Sequence, residues 1–190
     1  MIQEAELSNL LYFDLETSSE YSTFEELAEM NPRKADLWKV KHDKAAIKDP
    51  ERWSMTYEES YKMHTPLSAE FGRIVCASFC HLMTTSEDGK MVWYGKMKSF
   101  YDNVATEISE KQKVLLPVST LMFNLDRAGK NMRLCGHNIK KFDIPWLAKR
   151  MMMKNVDIPP QLQLWGKKPW EVTHLDTGEM WSFGNWDGYV

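Results

Sequence analysis

Leu11-Tyr-Phe-Asp-Leu-Glu-Thr17 is the stretch from which the fold is read. With Leu10 in front, the apolar and aromatic run Leu10 to Phe13 is long enough for a buried strand, and it passes directly into Asp-Leu-Glu-Thr. This predicts carboxylates at the C-terminal end of a strand. Side chains two apart in a strand share a face, so Asp14 and Glu16 point one way and Leu15 the other. Two like charges held that close repel. A cation between them makes the arrangement tolerable, and hard carboxylate oxygens suit magnesium or manganese. The alternative is a strand that runs out into a solvated acidic turn, and so short a motif leaves both readings open.

A second stretch, Gly136-His-Asn-Ile-Lys-Lys-Phe-Asp-Ile-Pro-Trp-Leu147, bears on that choice. Arg133 to Cys135 reads as a short strand and Gly136-His137-Asn138 as a turn. Ile144, Leu147, Ala148, Met151 and Met152 then recur at the spacing of a helix with one buried face. Pro145 fits the first helical turn, where its missing N–H does little harm, and Asp143 precedes it as an expected N-cap. A helix-capping Asp is ordinary. Capping does not account for a strand-end Asp-x-Glu coinciding with an Asp at a second junction.

Together the two motifs resemble the first two motifs of the DEDD exonuclease superfamily, in particular the predicted 3'-5' exonucleases similar to the proofreading domain of family B DNA polymerases. Glu70-Phe-Gly-Arg-Ile-Val-Cys-Ala-Ser78, Gly166-Lys-Lys-Pro-Trp-Glu-Val172 and His174-Leu-Asp-Thr-Gly-Glu-Met-Trp-Ser-Phe-Gly184 are similar to stretches of the same group. The resemblance runs nearly end to end and is weakest over Glu20 to Pro66. It implies an α/β chain with a ribonuclease H-like mixed sheet flanked by helices, a single domain over 1–190 with a helical insertion at about 20–66. It also implies two Mg2+ or Mn2+ ions flanking the scissile phosphate, one activating water and one stabilising the leaving 3'-oxygen. Carried over by position, Asp14 bridges both ions, Glu16 holds the nucleophile-side ion and Asp143 the second. Thr17 and Asn138 match positions near the terminal nucleotide, although Thr17 also reads as a strand end and Asn138 as a turn cap. The implied substrate is nucleic acid, a single-stranded DNA 3' end by preference.

The superfamily carries a third motif, a Tyr or His shortly before a fourth carboxylate. Tyr189 has no acidic residue after it, and His174 with Glu179 lies too close to Asp143 for the intervening helix. Asp176 reads as structural. The closing Trp181-to-Val190 run is aromatic and apolar where chain ends are commonly polar, so the expectation is a shortened chain that lacks about a fifth of a domain. Such a chain is expected to cleave weakly or not at all. A catalytically silent nucleic-acid-binding or partner-binding module is the alternative. A resolvase or integrase of related fold suits Phe-Asp-Ile-Pro after Gly-His-Asn less well.

With 190 residues, 43% of them apolar, the chain can bury a sizeable core. Cys76, Cys80 and Cys135 fall in apolar runs without metal-binding spacing and read as free core thiols of a reducing compartment. No signal-like or membrane-length apolar run is present, so a cytoplasmic protein without a membrane partner is expected. Net charge is −3, but the stretch 130–170 holds nine basic residues against Asp143 and Asp157, a local +7 that leaves −10 elsewhere. That run surrounds the second motif, where a phosphate backbone would approach. Trp165 and Trp170 flank Lys167 and Lys168, an interleaving that suits stacking on unpaired bases, or else a solvated loop with its Trp rings packed inward.

Between the motifs, Ser22-x-x-Glu25 predicts a helix start, Lys34 to Ile47 a second helix, and Asp49-Pro50 and Thr56-x-x-Glu59 further starts. This insertion reads as a packing element. Arg73 to Leu82 and Met91 to Lys96 predict a hairpin turning at Glu87-Asp88-Gly89. Ser99 to Ala128 reads as helical, interrupted at Pro117 and stopped by Gly129.

Overall fold

The computed structural model describes residues 4–103, 107–130 and 132–183; the Tyr189 and Val190 of the expected shortened end lie outside them. After a single turn, α1 (Glu4–Leu7), β1 runs from Leu10 to Ser19, so Asp14 and Glu16 sit inside a ten-residue strand and not at its end. The strand outlasts its apolar run because Thr17, Ser18 and Ser19 pair with Ile74, Arg73 and Gly72 beyond a bulge between Glu16 and Thr17. Pairing partners, absent from any local pattern, decide where it stops.

The insertion is helical, as expected: α2 (Phe24–Met30), α3 (Pro32–Lys48) and α4 (Tyr57–His64). The first cap is Thr23, whose hydroxyl accepts from Glu26 N–H, so the capping signature is one residue later than Ser22-x-x-Glu25. Asp49-Pro50 starts no helix; Asp49 ends α3, whereas Thr56 and Glu59 form the predicted capping box. The insertion has its own small core of Leu27, Ala35, Trp38 and Tyr61 with Phe71, the indole of Trp38 meeting Tyr61 and Phe71 edge-on. Packing is thus the role its apolar residues fill.

β2 (Gly72–Glu87) and β3 (Lys90–Tyr101) form the predicted hairpin, longer than expected. Asp88 and Gly89 turn it with φ of +50° and +75°, the conformation a two-residue hairpin loop needs. Ser99 to Tyr101, expected to be helical, are strand because they pair with Ser78, Ala77 and Cys76. The helical run is α5 (Glu107–Glu110), a π turn over Lys111–Leu115, and α6 (Leu116–Arg127). Pro117 does not interrupt it: the wider π turn just before it accommodates a residue without an N–H. Gly129, at φ +68°, ends the run with Gly129 and Lys130 N–H donating back to Asp126 and Leu125 carbonyls.

β4 (Arg133–Gly136), α7 (Asp143–Met153), β5 (Leu175–Asp176) and α8 (Thr177–Ser182) complete the order. The chain is α/β with one five-stranded mixed sheet in the order β3-β2-β1-β4-β5, flanked by helices. The two hairpin neighbours are antiparallel, and β1 with β4 and β4 with β5 are parallel. Leu11, Phe13 and Leu15 pack with Phe79, Leu134, the α6 residues Val118 and Met122, and the α7 residues Ile144 and Leu147. Tyr12, Asp14 and Glu16 alternate to the opposite face. Among the described residues no helix is long and apolar enough to cross a membrane.

One ion pair lies wholly within the core. Arg150 of α7 grips Glu110 with Nε at 3.1 Å and with Nη2, and donates Nη1 to the Ala69 carbonyl at 3.1 Å. Glu110 also accepts the Ile74 N–H at 2.8 Å. The pair joins α5, α7, β2 and the end of the insertion with its hydrogen bonds satisfied.

Candidate functional site

The site begins where β1 and β4 part. They pair only from Leu10 with Arg133 to Tyr12 with Cys135, and Gly136 follows at a point where a Cβ would stand 2.5 Å from the Phe13 carbonyl oxygen. Only glycine permits that approach. The chain then turns through Asn138, at φ +57°, and leaves the strand direction. Leu15 N–H, beyond the last β4 partner, is met by a side chain: Asp143 Oδ1 accepts it at 3.0 Å.

That bond corrects the N-cap expectation. The cap position of α7 falls on Phe142, with no side-chain cap bond, and Asp143 reaches across to β1. It thereby docks the second motif onto the residue between the two carboxylates of the first. Asp143 is 3% exposed. Burial first, and the charges of Asp14 and Asp176, raise its pKa to about 6 against the opposing Leu15 and Asp143 N–H groups.

Asp14 and Glu16 are exposed on either side of buried Leu15, as the alternation requires. Neither has a side-chain partner among the described residues. The Cα register sets Asp14 opposite Ser78 and Glu16 opposite Cys76, and Cys80 lies across from Tyr12. Cys76 and Cys80 are therefore half-buried thiols on the carboxylate face and not core residues; with Cys135 they are unpaired.

Thr17 and Asn138 are adjacent to this junction. Thr17 donates its hydroxyl to the Pro66 carbonyl at 2.7 Å, tying β1 to the end of the insertion. Asn138 gives its backbone N–H to Asp176 Oδ1 at 2.7 Å, and its side-chain amide has no protein partner among the described residues. Asp176 is buried and also accepts from Lys140 N–H at 3.0 Å and Gly178 N–H at 2.9 Å, the structural role expected of it. Three N–H donors leave it holding the β4–α7 turn. His174 likewise is a strut: Nδ1 accepts from Leu134 N–H at 3.1 Å while Nε2 faces the Gln161 carbonyl at 2.7 Å, and burial lowers its pKa.

The basic run of the sequence is dispersed by the fold. Arg150 turns inward to Glu110, and Arg133, Lys140 and Lys149 pair with Glu6, Glu179 and Glu70. Helical spacing does place Arg150 on the buried stripe, three residues after Leu147, so that much was readable from the sequence. Trp165 and Trp170 are 98% and 76% exposed, which overturns the inward-packed alternative. Their loop leads into β5 from the end of the sheet where β4 begins, opposite the end where Asp143 meets β1.

The donor set fits a hard divalent cation in kind: three carboxylates, two of them without partners and the third kept partly protonated by burial and by its acidic neighbours. Among the described residues, though, no three Asp, Glu, His or Cys side chains stand close enough to form a metal-holding group. Asp143 is recessed toward Leu15 while Asp14 and Glu16 face outward. In comparisons with known proteins, no family model, curated protein or solved structure matches the chain.

Proposed function

We propose that Asp14, Glu16 and Asp143 form the metal site of a 3'-5' exonuclease that acts on nucleic acid, DNA by preference, through Mg2+ or Mn2+. The observation that carries the reading is the Asp143 to Leu15 hydrogen bond, which brings a residue from 128 positions away to the centre of the Asp-x-Glu motif. The strand order β3-β2-β1-β4-β5, with only β2 reversed, supports the ribonuclease H-like class that the motifs resemble. In this reading the three carboxylates hold the cation, which supplies charge stabilisation for phosphodiester hydrolysis. Thr17 and Asn138 line the approach of the terminal nucleotide. Asp176, saturated by backbone N–H donors, is no fourth ligand, so a site of Asp14, Glu16 and Asp143 alone is expected to turn over slowly. The three unpaired thiols fit a reducing, cytoplasmic setting.

A second reading, a catalytically silent nucleic-acid-binding module, draws on the recessed position of Asp143 and the lack of an assembled three-ligand group among the described residues. A 5'-labelled single strand incubated with Mn2+ separates the two. Slow shortening from the 3' end that is lost in EDTA and in Asp14→Ala is expected. A strand that is bound but left intact by both proteins identifies the silent module. A strand neither bound nor cut removes both readings.

A further inference from the structure

The loop between the Pro160–Leu162 turn and β5 presents two indole rings that are largely exposed to solvent. Trp165 is 98% exposed and Trp170 76%. Between them they leave on the order of 300 Å2 of aromatic surface in water, on rings of the kind that interaction sites use. The loop is nonetheless ordered by its own bonds. Lys167 N–H donates to the Leu164 carbonyl at 3.1 Å, Lys168 N–H to Glu171 Oε2 at 2.6 Å, and Glu171 N–H to the Lys168 carbonyl at 2.9 Å. Gly166, at φ +76°, makes the turn between the rings. Rings held on a structured loop lose little freedom on meeting a partner.

Charge identifies the partner. Lys167 and Lys168 stand between the rings, with Lys168 Nζ 5.2 Å from the centre of the Trp170 ring, and the nearby Glu171 carboxylate is engaged with the Lys168 backbone. Lysine is depleted from the centres of protein–protein contacts, whereas aromatic faces alternating with cations are what a chain of bases and phosphates requires. Beneath the loop lies a cleft of about 200 Å3 lined by Met132, Arg133, Gln161, Lys167 and His174. Gln161, one of the residues lining it, has a buried side-chain oxygen without a hydrogen-bond partner.

We propose that this loop and cleft are a second site, for unpaired nucleic acid, in which Trp165 and Trp170 stack on bases and Lys167 and Lys168 contact phosphates. It lies at the opposite end of β4 from the carboxylates and needs no divalent cation. The proposal therefore stands or falls separately from the exonuclease reading.

The test is fluorescence anisotropy of a labelled oligothymidylate in EDTA, where metal chemistry is silent. Trp165→Ala/Trp170→Ala is expected to weaken binding at least about tenfold, and the matching duplex to bind less well than the single strand. Lys167→Glu/Lys168→Glu is a second, independent variant, expected to reduce the slope of log K against log salt by about two. All four side chains are exposed, so unchanged melting temperatures are expected. Equal affinity of wild type and both variants, or no binding at low salt, overturns the proposal. So does a concentration-dependent self-association that the tryptophan variant abolishes while the oligonucleotide stays unbound, which would assign the rings to a second copy of the chain.

Discussion

Glu110 with Arg150, and Asp14 with Glu16 and Asp143, are two ways of treating charge in one small chain. The first is neutralised and saturated inside the core, where the carboxylate takes the guanidinium and one backbone N–H and the guanidinium takes one carbonyl. The second gathers negative charge at the β1–β4 junction with no ion-pair partner among the described residues, and burial and neighbouring carboxylates hold the pKa of Asp143 at about 6. A chain able to neutralise one acid so fully leaves the other group uncompensated. That contrast separates a pair that serves the fold from a group whose charge costs stability, which is why the proposed cation is placed at the second.

Breaking the first pair should have the largest effect. Arg150→Ala leaves Glu110 buried and unpaired and is expected to destabilise by about 3–5 kcal/mol, read as a lower urea midpoint. Arg150→Met with Glu110→Leu should recover only part of that loss, because the Ile74 N–H and Ala69 carbonyl remain orphaned.

Removing charge from the second group should act in the opposite direction. Asp143 has a native pKa of about 6, above its ordinary 3.8, so the native state holds a proton that the unfolded chain releases. Stability therefore falls as pH rises from about 4 to about 6 and levels off above, a loss of up to roughly 3 kcal/mol at neutral pH. Asp143→Asn keeps an acceptor for Leu15 N–H and should raise the melting temperature at neutral pH while flattening the profile between those limits. Thermal melts across that range check it; a destabilised, still sloping variant would show that the charge is compensated after all.

The smallest effect is expected where the site meets the insertion. Thr17→Val removes the bond to the Pro66 carbonyl and should cost about 1 kcal/mol, with the urea midpoint lowered and the slope unchanged. A neutral result would mean that water replaces the hydroxyl there.

The two regions also differ in how far the sequence revealed them. Alternation placed Asp14 and Glu16 on one face, and the Asp-Gly turn and the helix from Asp143 were legible because turn chemistry and helical spacing are local. What Asp143 touches was not legible. Its position before Ile-Pro is that of an ordinary cap, and only the departure of β4 at Gly136 frees Leu15 N–H to capture it. Arg150 hid inside a run of lysines, where counting charges spread it over the surface while helical spacing put it in the core. The ends of β1 and the identity of Ser99 to Tyr101 as strand depended on cross-strand partners far along the chain.

Mn2+ titration followed by the loss of the free-ion electron paramagnetic resonance signal tests the central claim most directly. Saturable binding by the folded wild type is predicted, lost in both Asp14→Asn and Asp143→Asn while their melts remain cooperative. Equal Mn2+ uptake by wild type and both variants, or none by any of them, would contradict it.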